Sequence, residues 1–211
     1  MIEPKTNILG AIDTLRELDL KQQTKQFPYQ GLHLFTGCQG SGKTMLMMHA
    51  VAQMHEEYPD ALIVSNISIF GIPCIPYQGV QDFDKYQNGD KGIIFIIDEI
   101  HTLFSSLQSA KMPESTLTVW SQNRKNRRVI LGTSQRFTRV AKGIREQTLY
   151  NYECAKPILS FYRYRILEAD LYDDNGKYTG DQHLPWTWYV PQVKVMRMYN
   201  TLEVVRRSED A

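Results

Sequence analysis

One stretch constrains the fold of this chain more than any other. An apolar run from Gly31 leads into a glycine-rich loop, and an apolar helical pattern follows from Met45. The loop reads Gly37, Cys38, Gln39, Gly40, Ser41, Gly42, Lys43 and Thr44. This is the pattern GxxxxGK[ST] in the strand–loop–helix setting that it requires. Because glycines let successive backbone N–H groups turn inward around a phosphate, we predict that all eight residues bind a nucleotide.

The last two residues of the loop have separate expected tasks. Lys43 is long enough to reach the β- and γ-phosphates, and the Thr44 hydroxyl suits a magnesium ion. The stretch therefore predicts ATP and Mg²⁺ as cofactors.

A second motif follows a buried strand. Five consecutive apolar residues precede Asp98 and Glu99, as in a parallel strand that is covered on both faces and carries polar side chains at its carboxyl end. We interpret Asp98 as the second magnesium ligand and Glu99 as the general base that activates water. His101 is interpreted as a surface or packing residue.

The composition excludes several classes of protein. The 211 residues include 24 basic and 23 acidic side chains, so the chain as a whole has no polyanion-binding charge. Its three cysteines lie far apart without CxxC spacing, which argues against disulfides and zinc and favours a reducing, cytoplasmic setting. No apolar stretch approaches the roughly 18 residues of a membrane span.

The positive charge is nevertheless concentrated in one place. Eight of the 24 Lys and Arg residues fall between Arg124 and Arg145, with no acidic residue among them. Within this stretch, residues 129–132 predict a buried strand with Gln135 beyond its carboxyl end. Gln135 is a candidate sensor of the γ-phosphate, and the local field of the arginines predicts a polyanion contact.

The remaining segments predict additions to one core domain. Residues 6–24 have helical apolar spacing, and residues 61–65 and 80–86 predict a second strand and a short helix. Residues 158–171 and 178–190 predict an antiparallel hairpin around the turn Asp173–Gly176. The expected organisation is a single domain over residues 1–211. It comprises an N-terminal helical extension (1–28), a core (29–155) and a β-hairpin extension (156–211).

Several motifs together resemble a known family. They are Phe35–Thr44, Ser65–Ile67, Ile96–Ile100, and Asn123-Arg-Lys followed by a strand and Thr133-Ser-Gln135. This succession resembles the zonular occludens toxin (Zot)-like ATPases of the FtsK/HerA superfamily, over about residues 31–145. The resemblance implies an α/β fold: a RecA-like P-loop NTPase core with a mostly parallel sheet, in which another strand lies between the two motif-bearing strands.

The resemblance also implies an oligomeric ring and DNA as the polymer that is moved. It places at Arg124 a cation that reaches the γ-phosphate of the neighbouring subunit, so Lys43, Glu99, Gln135 and Arg124 form the expected catalytic set. The candidate DNA contacts are Arg127, Arg128, Arg139 and Arg145.

Among the related motors, the absence of a membrane span favours a viral or phage genome-packaging ATPase that drives double-stranded DNA into a capsid. Such a motor would act in the host cytoplasm, or with the virion, and dock on a capsid or membrane-embedded portal protein. The alternative within the class is a Zot-like ATPase for filamentous-phage export or conjugative transfer. A regulatory NTP-binding switch and a small-molecule kinase are the alternatives of other classes.

Overall fold

The computed structural model describes residues 26–104, 127–158 and 161–199. The predicted N-terminal helix and Arg124 lie outside these residues. The described helices are α1 (Lys43–Glu57), α2 (Asp82–Lys85), α3 (Lys142–Arg145) and α4 (Val193–Met196). The described strands are β1 (Gly31–Thr36), β2 (Leu62–Ser65), β3 (Ile75–Pro76), β4 (Ile93–Ile97), β5 (Arg128–Ser134), β6 (Thr148–Ile158), β7 (Phe161–Glu168) and β8 (Thr187–Tyr189).

In this part of the chain the strands form one sheet in the order β3-β2-β4-β5-β1-β6-β7-β8. The pairs from β3 to β6 are all parallel, whereas β7 pairs antiparallel with both β6 and β8. Strand β5 lies between β1, which leads into the glycine-rich loop, and β4, which leads to Asp98. The predicted α/β class with a mostly parallel sheet and an inserted strand is thereby confirmed.

Both faces of the central strands are buried. Every residue of β4 has 0% exposure: Ile94 and Ile96 pack toward α1, and Phe95 packs with Phe83 on the opposite face. A strand that is covered on both sides reads as an uninterrupted apolar run, which is why it could be recognised in the sequence. Asp98 directly follows this buried strand at the carboxyl end of the sheet. Its position is well defined because the strand that carries it has little freedom to move.

The antiparallel region differs from the predicted hairpin. The predicted partners do pair, as β7 and β8, but a long connection joins them, and the turn at Asp173–Gly176 closes only a bridge between Tyr172 and Tyr178. The hairpin partner of β7 is β6, an eleven-residue strand that the sequence analysis did not find. Strand β6 crosses the predicted boundary at residue 155, so core and extension share a strand.

Strand β1 contains one buried titratable residue. The His33 ring is 2% exposed, stacks against Tyr150, and lies with its Nε2 atom 3.0 Å from the Gln30 carbonyl oxygen. Burial lowers the pKa of His33 from 6.5 to about 4, opposed by the hydrogen bond to Gln30. The ring is therefore neutral in the folded protein at neutral pH.

We predict that His33 makes the fold sensitive to mild acid. Because the pKa in the folded state lies below that in the unfolded state, the unfolded chain binds more protons between pH 6.5 and 4. The free energy of unfolding should therefore fall by about 3 kcal/mol as the pH drops through this window. Urea unfolding of the wild type and His33→Gln at pH 7 and pH 4.5 measures the effect. An equal loss of stability in both proteins would contradict it.

Candidate functional site

The glycine-rich loop connects β1 to α1 at the carboxyl edge of the sheet. A Cβ atom on Gly37 would lie 2.3 Å from the Cys154 carbonyl oxygen of β6, so only glycine fits there. Gly42 has a φ of 87° and is the last residue before α1. Lys43 reaches across the loop and donates a hydrogen bond from Nζ to the Cys38 carbonyl oxygen at 3.1 Å. Of the eight residues that the sequence assigns to nucleotide binding, the first six thus form one continuous loop, and Lys43 and Thr44 begin α1.

The two predicted magnesium ligands lie side by side. The Thr44 hydroxyl donates to Asp98 Oδ1 at 2.9 Å, although the residues are 54 positions apart in the chain. Thr133, at the end of β5, donates to the same carboxylate oxygen at 2.7 Å. Hydroxyl and carboxylate oxygens are ligands that Mg²⁺ prefers, so the residues present fit this ion. Thr44 and Asp98 would hold it, with Thr133 orienting the carboxylate.

Asn66 holds the main chain at Asp98. Its side-chain amide accepts a hydrogen bond from the Asp98 N–H at 2.7 Å and donates one to the Asp98 carbonyl oxygen at 2.9 Å. The next N–H, of Glu99, donates to Thr133 Oγ1 at 2.8 Å. Neither Asn66 nor Thr133 was predicted from the sequence to belong to the site. The available signal was that each is a polar residue at or just after the end of a strand beside β4.

Glu99 has a left-handed backbone with a φ of 52°, which is uncommon for a residue with a side chain and occurs most often at functional sites. Burial and then the Asp98 charge raise the pKa of Glu99, while Lys43 and Arg139 act in the opposite direction. A carboxyl group with a raised pKa is a stronger base than an exposed glutamate, which suits proton abstraction from water.

His101 contacts the predicted base. Its Nδ1 atom lies 3.1 Å from Glu99 Oε2 and 3.3 Å from Ser134 Oγ. Burial lowers the pKa of His101, and Arg139 and Lys43 lower it further, so the imidazole is neutral at neutral pH. The interpretation of His101 as a surface or packing residue did not anticipate this contact.

Gln135 follows β5 and therefore lies between the loop after β1 and the acidic pair after β4. Its Oε1 atom accepts a hydrogen bond from Arg139 Nη1 at 2.6 Å. The structure thus brings together Lys43, Thr44, Asp98, Glu99 and Gln135 at one edge of the sheet.

The arginines that were candidate DNA contacts are dispersed by the fold. Arg127, at the opposite edge of the sheet from the loop, donates to Asp90 Oδ1 at 2.9 Å and also bonds Gln26. Arg128 is 1% exposed beside Phe95, so its side chain does not form part of a DNA-binding surface. The predicted charged stretch is continuous in sequence but not on the molecular surface.

The other two arginines also differ in their surroundings. Arg145 lies against Phe137 in a cavity of about 280 Å³ whose lining includes Asp170, Asp173 and Asp174, an acidic setting that disfavours phosphate. Arg139 lies in the cleft beside Gln135.

Tyrosines from the antiparallel region support the glycine-rich loop from behind. The Tyr189 hydroxyl donates to the Gly42 carbonyl oxygen at 3.1 Å, and a Cβ atom on Gly42 would lie 2.6 Å from the Tyr162 ring. Strands β7 and β8 are thus in direct contact with the loop. Within the described residues, no helix is long and apolar enough to cross a membrane.

The segment that forms this site also matches a known protein family in sequence. Residues 33–153, more than half of the chain, match the model of the ATPase family associated with various cellular activities (AAA). The chain belongs to the AAA family of ATPases. Its reaction is therefore the hydrolysis of ATP. The comparison with curated proteins found no match to this chain.

Three solved structures share its fold. The N-terminal domain of zonular occludens toxin from Neisseria meningitidis is 19% identical, with a TM-score of 0.63 and coverage of 81% of this chain and 98% of that one. The genome packaging NTPase B204 from Sulfolobus turreted icosahedral virus 2, in complex with ATP-gammaS, is 13% identical, with a TM-score of 0.53 and coverage of 76% and 97%. The ATPase domain of G40P is 12% identical, with a TM-score of 0.52 and coverage of 93% and 99%.

We predict that the Glu99→Gln variant binds ATP as the wild type does but loses turnover by about 10²-fold or more, because the amide cannot accept a proton from water. Lys43→Ala should lose hydrolysis through the loss of phosphate contact. Binding of a fluorescent ATP analogue and release of inorganic phosphate measure the two properties separately. Normal turnover by Glu99→Gln would show that another group is the base.

Proposed function

We propose that this ATPase is a DNA-translocating motor of the genome-packaging type, which uses ATP hydrolysis to move double-stranded DNA into a capsid. The observation that supports the proposal is that a site suited to hydrolysis lies on a fold that is shared with a genome packaging NTPase. Glu99 directly follows Asp98, and Gln135 directly follows β5, the strand that lies between β4 and β1. The fold that presents these residues is shared by a genome packaging NTPase and a Zot domain.

The site residues have separate tasks in the proposed reaction. The main-chain N–H groups of the loop and Lys43 bind the phosphates. Thr44 and Asp98 would hold Mg²⁺, which would supply positive charge against the developing phosphate charge. Glu99 accepts the proton of the water whose oxygen attacks the γ-phosphorus, and the bond from the γ-phosphorus to the ADP oxygen breaks. Gln135 contacts the γ-phosphate or the attacking water. These parts favour transfer to water over transfer to a small-molecule acceptor.

We further propose that the ATPase works as a homo-oligomeric ring in which Arg124 of one subunit reaches the nucleotide of the next. A cation that arrives only with the neighbour would couple hydrolysis to assembly, an effect of roughly 10³ to 10⁵ in rate in other nucleotide hydrolases. Arg124 lies outside the described residues, so this assignment rests on its position eleven residues before Gln135.

The described residues offer one surface whose chemistry suits DNA. On the face of β7 and β8 away from α1, the Arg163 guanidinium carbon lies 4.3 Å from the Trp186 ring centroid and 5.6 Å from that of Trp188. Arg165 lies 5.0 Å from Trp186 but is paired with Glu153 at 2.6 Å. Among the described residues the buried Arg163 Nε atom has no hydrogen-bond partner, and Trp188 is 47% exposed. We propose this basic–aromatic face as a DNA contact, with Arg163 on a phosphate.

A second candidate within the class is a Zot-like ATPase for filamentous-phage export or conjugative transfer. The specific observation in its favour is the TM-score of 0.63 over 81% of this chain with the zonular occludens toxin domain. For the packaging motor the anchoring partner would be a capsid or a membrane-embedded portal protein, whereas the Zot-like ATPase would be docked on a membrane through a partner. A regulatory nucleotide switch is the candidate from another class.

The rate of ATP hydrolysis, measured against protein concentration with and without duplex DNA, tests the proposal. We expect turnover that rises cooperatively with protein concentration and is stimulated by duplex DNA. Hydrolysis that is insensitive to both would favour a regulatory switch and contradict a motor. The same measurement with single-stranded DNA of equal length shows whether single-stranded or double-stranded DNA stimulates hydrolysis.

Two sets of variants sharpen this test. Arg163→Gln should reduce the salt slope of DNA binding by about one, since one phosphate contact is lost, whereas Lys177→Gln on the exposed Asp173–Lys177 turn should not.

Arg124→Ala subunits mixed with Glu99→Gln subunits should regain some activity, because one supplies an intact pocket and the other an intact arginine. No recovery at any mixing ratio would count against action between subunits.

A further inference from the structure

Arg139 occupies a fixed position beside the nucleotide site. It ends the 3₁₀ turn Phe137–Arg139, which directly follows Gln135 and Arg136. Phe137 is buried and stacks on Tyr172 with ring centroids 4.2 Å apart, and Val140 and Ala141 on the other side are 0% and 1% exposed. The backbone on both sides of Arg139 is therefore anchored in the core, while its own side chain is exposed. Such a residue can hold a neighbouring group in place with little movement of its backbone.

The hydrogen bond from Arg139 determines how the Gln135 amide is oriented. A guanidinium only donates hydrogen bonds, so the atom that faces Arg139 Nη1 at 2.6 Å must be the oxygen, Oε1. The Nε2 group, with its two N–H donors, is then left free for another partner. Phosphate oxygens only accept hydrogen bonds in their ionised form. An amide that is to contact the γ-phosphate must present Nε2, and without Arg139 either end could turn toward the phosphate.

The charge environment places Arg139 in the same cleft as the base. Its positive charge opposes the rise in the pKa of Glu99 and contributes to the lowered pKa of His101. Within the described residues, no carboxylate lies within ion-pair distance of Arg139. Its hydrogen bond to Gln135 is thus the specific contact of this side chain, and that contact is made within one chain.

We propose that Arg139 is a positioning residue for ATP hydrolysis, which fixes the Gln135 amide with its N–H groups available to the γ-phosphate. This assignment replaces the DNA contact that the charged stretch suggested for Arg139. It rests on the ATPase activity of the family and not on the proposed translocation of DNA.

A double-mutant cycle tests the assignment in the full chain, in the absence of DNA. If Arg139 acts through Gln135, Arg139→Ala and Gln135→Ala should each lower kcat by about tenfold, the effect of one well-placed hydrogen bond in the transition state. The double variant should be no more than about twofold slower than Gln135→Ala alone. Affinity for a fluorescent ATP analogue should stay within about twofold of the wild type in all three proteins.

Two further variants separate positioning from a general loss of charge or structure. Arg139→Lys keeps a donor and should recover part of the lost kcat. Arg136→Ala removes a neighbouring exposed arginine that makes no side-chain contact with Gln135, and should leave kcat within about twofold of the wild type. Thermal unfolding of each variant shows whether the fold is intact.

Three results would overturn the assignment. The first is a pair of kcat losses that multiply in the double variant, since Arg139 would then act independently of Gln135. The second is an unchanged kcat in Arg139→Ala together with a reduced salt slope of DNA binding, which would return Arg139 to a DNA surface. The third is an Arg139→Lys variant no faster than Arg139→Ala. Hydrolysis that DNA does not stimulate would contradict the motor but leave the coupling between Arg139 and Gln135 intact.

Discussion

The site depends on the Asp98 carboxylate being held at the end of a fully buried strand. One oxygen, Oδ1, accepts hydrogen bonds from Thr44 on α1 and from Thr133 on β5, while the Asn66 amide pairs with the Asp98 main chain. Two neighbouring strands and the helix after the glycine-rich loop are thereby joined at a single residue. Because β4 beneath it is 0% exposed, displacing Asp98 would require repacking the core. The rest of the site is positioned relative to this point.

The parallel order of strands explains why chemistry gathers at this edge. In a parallel sheet the carboxyl ends of all strands lie on one side, so the polar residues that follow β1, β2, β4 and β5 converge there. The insertion of β5 between β1 and β4 places Gln135 between the phosphate-binding loop and Glu99. Two contacts near these strand ends are local: the His101 Nδ1 atom lies 3.1 Å from Glu99 Oε2, two residues earlier, and Arg139 donates a hydrogen bond to Gln135, four residues earlier. The hydrogen bond from Arg139 restricts the orientation of the Gln135 amide.

The antiparallel region gives the nucleotide loop a contact on its other side. Tyr189 and Tyr162 pack against Gly42 from one face of β7 and β8, while Arg163 and the two tryptophans occupy the opposite face. Alternation along a strand allows a single short segment to serve both surfaces. A polymer bound to the basic–aromatic face would thus lie one layer of backbone away from the nucleotide loop. This arrangement would place the proposed DNA contact close to the site of ATP hydrolysis.

The sequence by itself determined the elements whose signals are local. The glycine-rich loop, the uninterrupted apolar run of β4 and the acidic pair that ends it are contiguous patterns, since backbone approach to phosphate and burial on both faces each demand particular neighbouring residues. Only the tertiary structure decided which distant residues share the site. Asn66 is an ordinary polar residue in sequence, and it acquires its partner Asp98 only because parallel strands bring separate segments to one edge. His101 and Arg139 lie within four residues of Glu99 and Gln135, and the conformation of the folded chain after each strand decided that these neighbours are in contact. The dispersal of Arg127, Arg128 and Arg145 has the same cause, because charges that are adjacent along the chain are carried to opposite edges of the sheet, into its core or against acidic groups.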